Sequence, residues 1–221
     1  MSKDGAASSA WVFTLSGVAV RAIGHFYGKV VVKAGSRLPD GPCVVIFNHS
    51  SVMDVAAMAH VVRRPVAFWA KAELRKKLLV RAWFRACGAV FVQRGGHDEE
   101  AFARGLEQLR RGLAFCLAPE GTRHHRDGDR KAHTGFVRLA LLAGVPVVPI
   151  AISGARNALP PGHYLPRPWR RPLVRVEVGR PFTLAEMPVD EAHREDLALL
   201  ADEAMGRVYS MKTALDEGRG L

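Results

Sequence analysis

The sequence predicts an α/β fold: a single domain with a mostly parallel or mixed central sheet flanked by helices, with an apolar N-terminal helix at a membrane surface. Short apolar, β-branched runs such as residues 44–47 and 145–152 have the length of buried strands. They alternate with longer segments of helical period, such as residues 98–111. The 221 residues, 48% hydrophobic and 24% charged, suit one folded domain with a substantial core. The expected division is an N-terminal region, residues 1–27, and a domain spanning residues 28–221.

From Gly5 to Val20 there are sixteen uncharged residues, diluted by serine, threonine and glycine and short of the ~20 apolar residues of a spanning helix. A signal peptide is disfavoured by Asp4 and by the lack of a clear small-residue cleavage site. An interfacial helix through Trp11, Val12, Phe13 and Leu15 is preferred, with an ordinary packed helix as the alternative. Residues 29–34 read as a strand, residues 38–42 as a turn and residues 44–47 as a strand. A helix through Val55 to about Val61 follows, then a strand over residues 65–70.

Residues 73–86 have a helical pattern with Lys77, Arg81 and Arg85 on one stripe and Leu79, Ala82, Trp83 and Ala86 opposite. Such a stripe suits either solvent or an anionic membrane surface. Residues 88–94 read as a strand ending in arginine, residues 98–111 as a helix and residues 113–117 as a strand. Beyond them come a helix over 132–143 stopped by Gly144 and a buried strand over 145–152. A Pro/Arg-rich connection with Trp169 leads to an edge strand over 173–178, and a helix from Asp190 to about Leu215 closes the domain.

The net charge of +11 asks for an anionic partner: nucleic acid, an anionic membrane or a phosphorylated or acidic carrier substrate. A nucleic-acid module is disfavoured, because no helix-turn-helix, zinc spacing or RRM-like aromatic motif is present. Cys43, Cys87 and Cys116 lie in apolar surroundings without ligand spacing, which predicts reduced core thiols and a cytoplasmic face.

The chemistry concentrates in Asn48-His49-Ser50-Ser51-Val52-Met53-Asp54, directly after the strand over 44–47. An imidazole can take a proton from a hydroxyl near neutral pH, and a carboxylate on its other nitrogen would fix the tautomer. Ser51-Val52-Met53-Asp54 also fits a capping box, which would explain the aspartate without catalysis. Both readings hold together only if His49 precedes the helix, since positions five apart in a helix point about 140° away from each other.

Three further positions carry polar chemistry. Arg94 ends a strand beside Gly95-Gly96, where it could grip a phosphate; a surface arginine is the alternative. Pro119-Glu120-Gly121-Thr122-Arg123 displays an acceptor, a hydroxyl and a bidentate cation at a strand end, although an ordinary surface turn would look much the same. His124, His125, Asp127, Asp129 and His133 lack a recognisable metal spacing, so neither metal nor other cofactor is expected.

Together, Asn48-His49-x4-Asp54, Gly88-x2-Phe91-Val92-x-Arg94, Pro119-Glu120-Gly121-Thr122-Arg123 and Val145-Pro146-Val147-Val148-Pro149-Ile150 resemble, in order and spacing, the glycerolipid acyltransferases of the PlsC/AGPAT group. The resemblance implies that His49 acts as general base with Asp54 orienting it. It implies that Arg94, Glu120, Gly121, Thr122 and Arg123 bind the acceptor, with Lys71 as a further phosphate ligand. The implied reaction moves a fatty acyl group from acyl-CoA or acyl-carrier protein to the free hydroxyl of lysophosphatidic acid, at the cytoplasmic face of the membrane.

No Gly-x-Ser-x-Gly elbow competes for a covalent mechanism. Ala118 stands where the family usually has Phe, and His124 where serine is frequent, which leaves another lysophospholipid, a glycolipid or an aminolipid precursor open as acceptor. A non-catalytic lipid-binding protein of this fold would not need the His49 and Asp54 pair.

Overall fold

A computed structural model of the chain describes residues 10–93, 98–121, 132–163, 165, 171–184 and 193–219. Helix α1 (Ala10–Tyr27) leads into β1 (Lys29–Val32); β2 (Val44–Phe47) is followed by α2 (Met53–Val61) and β3 (Val66–Lys71). A 3-10 turn (Ala72–Lys76) and α3 (Leu78–Ala86) precede β4 (Ala89–Val92), α4 (Glu99–Arg110) and β5 (Ala114–Leu117). Then come α5 (Gly135–Ala143), β6 (Val147–Ser153), the short α6 (Ala155–Ala158), β7 (Leu173–Val178) and α7 (Arg194–Asp216).

Among the described residues, seven strands form one mixed sheet in the order β1-β7-β6-β2-β5-β3-β4. The run from β6 to β4 is parallel throughout, with Val45 opposite Cys116 and Phe47 opposite Ile150. Strand β7 turns the direction over: it is antiparallel to β6 and parallel to β1. The strand expected at an edge is therefore internal, and β1 and β4 are the edges.

Alternation along β2 divides the core between the two faces of the sheet. Val45 packs with Met53, Ala56 and Ala57 of α2 and with Ala155 of α6. Val44 and Ile46 pack with Ala101 of α4, Phe136 and Leu139 of α5, and Ala204 and Met205 of α7. Helices thus cover both faces, which is why these strands are nearly continuous apolar runs.

Residues 73–86 are not one helix. Lys77 is extended (φ −98°, ψ 112°) and separates the 3-10 turn from α3. Strand β3 runs on to Lys71, so the chain must bend before α3 can return along the sheet. The helix expected over 132–143 starts at Gly135 and is closed by Gly144 in the left-handed region, as its C-terminal position favours. The three cysteines are buried and reduced. Burial pushes the Cys43 thiol up to about 11, against a smaller opposing pull from Arg64, and raises Cys116 further.

Candidate active site

Because β2, β5, β3 and β4 are parallel, their carboxyl ends share one edge of the sheet. Phe47 of β2 delivers Asn48 and His49 there, Leu117 of β5 delivers the turn through Glu120 and Gly121, and β3 ends at the exposed Lys71.

The chain leaves β2 at Asn48, and the side chain of that residue continues the ladder. Its Nδ2 donates to the Ile152 carbonyl and its Oδ1 accepts the Ile152 N–H, both at 2.8 Å. Ser51, fully buried, donates through Oγ to the Leu159 carbonyl (2.6 Å) and accepts the Met53 N–H (3.1 Å). Asp54 reaches back to the Ser51 N–H at 2.9 Å, one half of the expected capping box; the other half is shifted, since Ser51 Oγ takes the Met53 N–H while the Asp54 N–H goes to the Ser51 carbonyl. By backbone geometry the helix starts one position later than expected, with the helical Val52 as its flanking residue.

The same Asp54 oxygen, Oδ2, accepts the Ser50 N–H (2.7 Å) and stands 2.9 Å from His49 Nδ1. Asp54 is fully buried, so two backbone N–H groups and the first turn of α2 are what compensate its charge. A carboxylate can only accept, which assigns the proton to Nδ1 and leaves Nε2, on the far side of the ring, with its lone pair. The imidazole is 23% exposed and meets Phe47 edge-on, 6.1 Å between ring centroids. The imidazole is thus fixed at Nδ1 and partly exposed, with Nε2 left to carry the lone pair.

Glu120, expected among the acceptor-binding groups, is 3% exposed and engaged inside the protein. Its Oε2 accepts the backbone N–H of His49 (2.8 Å), and its Oε1 accepts the hydroxyl of Tyr209 (2.7 Å). Gly121 follows at φ +71°, and a Cβ there would lie 2.8 Å from Nε2 of His133. That position needs glycine on both counts. Lys71 stands at the same edge, paired in register with Val92, two residues before Arg94. Arg94, Thr122 and Arg123 lie outside the described residues, as do His124, His125, Asp127 and Asp129. Among the described residues no group of acidic, histidine or cysteine side chains could hold a metal ion.

Beside this edge lies an apolar surface. Gly24 of α1 rests against Ala56 and Met53, and Arg21 donates to the Ala59 carbonyl at 2.8 Å, so α1 runs antiparallel to α2 and ends next to the His49 turn. Trp11, Leu15, Val18 and Phe26, which share one stripe of α1, are all exposed. Helix α3 adjoins α1, with Trp83 Nε1 donating to Ser16 Oγ at 2.8 Å. On α3 the burial is inverted: Leu78, Leu79 and Trp83 are exposed, Leu79 at 83%, while Arg81 and Arg85 are half-buried.

A family model described as Acyltransferase matches residues 29–153. The lyso-ornithine lipid O-acyltransferase of Pseudomonas aeruginosa is 33% identical over 130 residues, 58% of this chain and 50% of that protein. The 1-acyl-sn-glycerol-3-phosphate acyltransferase beta of Homo sapiens is 31% identical over 139 residues, 61% of this chain and 50% of that protein. The crystal structure of the 1-acyl-sn-glycerophosphate acyltransferase PlsC from Thermotoga maritima superposes with a TM-score of 0.67 at 26% identity, covering 90% of this chain and 81% of that one. The chain spans about half the length of the first two of these proteins.

Proposed function

From the premise that this chain belongs to the acyltransferase family, we infer that it transfers a fatty acyl group from acyl-CoA or acyl-carrier protein to the free hydroxyl of lysophosphatidic acid, giving phosphatidic acid. The observation that carries the reading is the His49 and Asp54 pair, joined at 2.9 Å at the carboxyl edge of the sheet. Nε2 of His49 takes the proton of the acceptor hydroxyl, and Asp54 stabilises the imidazolium that forms. The oxygen attacks the thioester carbonyl, the new C–O bond forms and the C–S bond breaks. The departing thiolate recovers the proton from His49, so no acyl-enzyme is needed. Lys71, with Arg94, Thr122 and Arg123, is assigned to the acceptor's phosphate and glycerol.

The reaction is placed at the cytoplasmic face of an anionic membrane, with the protein peripheral or monotopic. Exposed apolar residues of α1 and α3, flanked by the basic residues of α3 and a chain charge of +11, support this placement. Among the described residues no helix is long and apolar enough to cross a membrane.

A second reading takes a lyso-ornithine lipid as acceptor. It is favoured by the 33% identity to the Pseudomonas aeruginosa protein and by the small Ala118 before the Pro119-Glu120-Gly121 turn.

The test is to supply the purified protein, in liposomes, with acyl-CoA or acyl-carrier protein and a panel of lyso-acceptors, following thiol release and lipid product. Lysophosphatidate should be the preferred acceptor, and His49→Ala should lower turnover by at least about 10². Preference for lyso-ornithine lipid selects the second reading, while near-normal turnover in His49→Ala would sink the mechanism.

A further inference from the structure

We propose that Tyr209, on the C-terminal helix α7, is a positioning residue for His49, acting through Glu120. The inference rests on the acyl-transfer reading of the site. Tyr209 lies outside residues 29–153, the part of the chain that matches the family model, and 89 positions from the carboxylate it meets.

The contacts run in one line. The Tyr209 hydroxyl donates to Glu120 Oε1 at 2.7 Å, and Glu120 Oε2 accepts the His49 backbone N–H at 2.8 Å. Asp54 secures the imidazole of His49, while Glu120 secures its backbone, so each acidic residue fixes a different part of the base. Glu120 is 3% exposed, and bulk water does not readily replace a donor that leaves it. The hydroxyl that α7 supplies is one of the contacts that hold this carboxylate where it meets the His49 N–H.

Helix α7 is well placed to hold that hydroxyl still. Tyr209 follows Ala201 and Met205 at intervals of four on the buried stripe of α7 that packs over Val44 and Ile46 of β2. Two turns later Asp216 accepts a hydrogen bond from Ser153, at the end of β6. The helix is therefore pinned to the catalytic edge on both sides of His49. Small displacements of a base relative to its substrate are costly, up to about 10² in rate for ~1 Å.

Tyr209→Phe removes the hydroxyl and keeps the packed ring. The expected result is a fall in kcat of about tenfold or more, KM for acyl donor and acceptor within about twofold, and a melting temperature lower by only several degrees, as for a buried acceptor that loses one donor. Hydrogen exchange of the peptide spanning residues 47–53, read by mass spectrometry, should accelerate in the same variant. Installing 4-aminophenylalanine at position 209 returns an N–H donor to the para position and should restore both kcat and protection. That variant also decides the matter if Tyr209→Phe folds poorly. Wild-type kcat in Tyr209→Phe, or exchange unchanged from wild type, overturns the inference. If the wild type transfers no acyl group to any acceptor, the acyl-transfer reading fails; the exchange measurement still decides the link from Tyr209 to His49.

Discussion

Oδ2 of Asp54 lies 2.9 Å from Nδ1 of His49 and accepts the backbone N–H groups of Ser50 and Ser51 as well. One oxygen thus shapes the turn and orients the imidazole. In Asp54→Asn the amide oxygen can still take those donors, but the charge that stabilises an imidazolium is lost and a buried NH₂ stands where Oδ1 was. We expect kcat to fall by about 10² or more, with acceptor KM little changed because Asp54 is fully buried. Steady-state kinetics checks this, and a kcat within about threefold of wild type would remove Asp54 from the mechanism.

The inverted burial of α3 makes a separate prediction. Leu78→Glu with Leu79→Glu replaces two exposed apolar residues that neither core cluster includes. Stability in detergent should change by less than about 1 kcal/mol, as for surface substitutions generally. Sedimentation with anionic vesicles should fall at least about tenfold, reflecting the lost apolar burial of roughly 1.5–3 kcal/mol per side chain. Undiminished vesicle binding would take α3 out of the membrane contact.

A third prediction concerns the stretch leading to Arg94. Asp98 accepts the N–H groups of Gln93 and Ala101, both at 2.9 Å, and these bonds hold its carboxyl below the usual carboxylate range. Asp98→Ala should cost ~1 kcal/mol at neutral pH, the usual value of a helix N-cap. A depressed pKa stabilises above the unfolded value near 3.8 and ceases to do so as pH falls through the folded one. The gap between wild type and variant should therefore close below about pH 4, measured by urea unfolding at several pH values; a gap independent of pH would assign the effect to packing.

Much of the fold was legible because local signals agree. The strand over 44–47 is β-branched, four residues long and preceded by a Pro/Gly turn, and the structure has it with those bounds. The helix over 98–111 carries its cap in Asp98. What escaped depends on distant partners. Residues 173–178 alternate in burial as an outer strand does, and only the arrival of β1, some 144 positions earlier, makes β7 internal. The break at Lys77 lies among good helix formers, so it is imposed by the path from β3 to α3 and not by propensity.

The site divides the same way. His49, Ser51 and Asp54 are close in sequence, and the capping-box spacing already implied that the histidine precedes the helix. The engagement of Glu120 with the His49 N–H had no sequence signal, because a glutamate in a Gly-containing turn reads as a displayed ligand. Tyr209 carries no sequence signal either: it is one aromatic residue on a helix stripe. The capping-box geometry of His193 and Asp196 likewise emerges only with α7 in place.

Asn48 carries a consequence for how long the His49 turn lasts. Asparagine side chains age when the nitrogen of the next residue attacks the amide carbon and ammonia leaves. That attack requires the amide to rotate and the following N–H to be given up. Here the amide is tied at both ends to Ile152, and the nitrogen of His49 is committed to Glu120. Were Asn48 to become aspartate, a carboxylate oxygen would face the Ile152 carbonyl without a proton between them, and the His49 turn would lose one of its two bonds to β6. The bonds that set the turn in place thus also guard it against slow chemical decay.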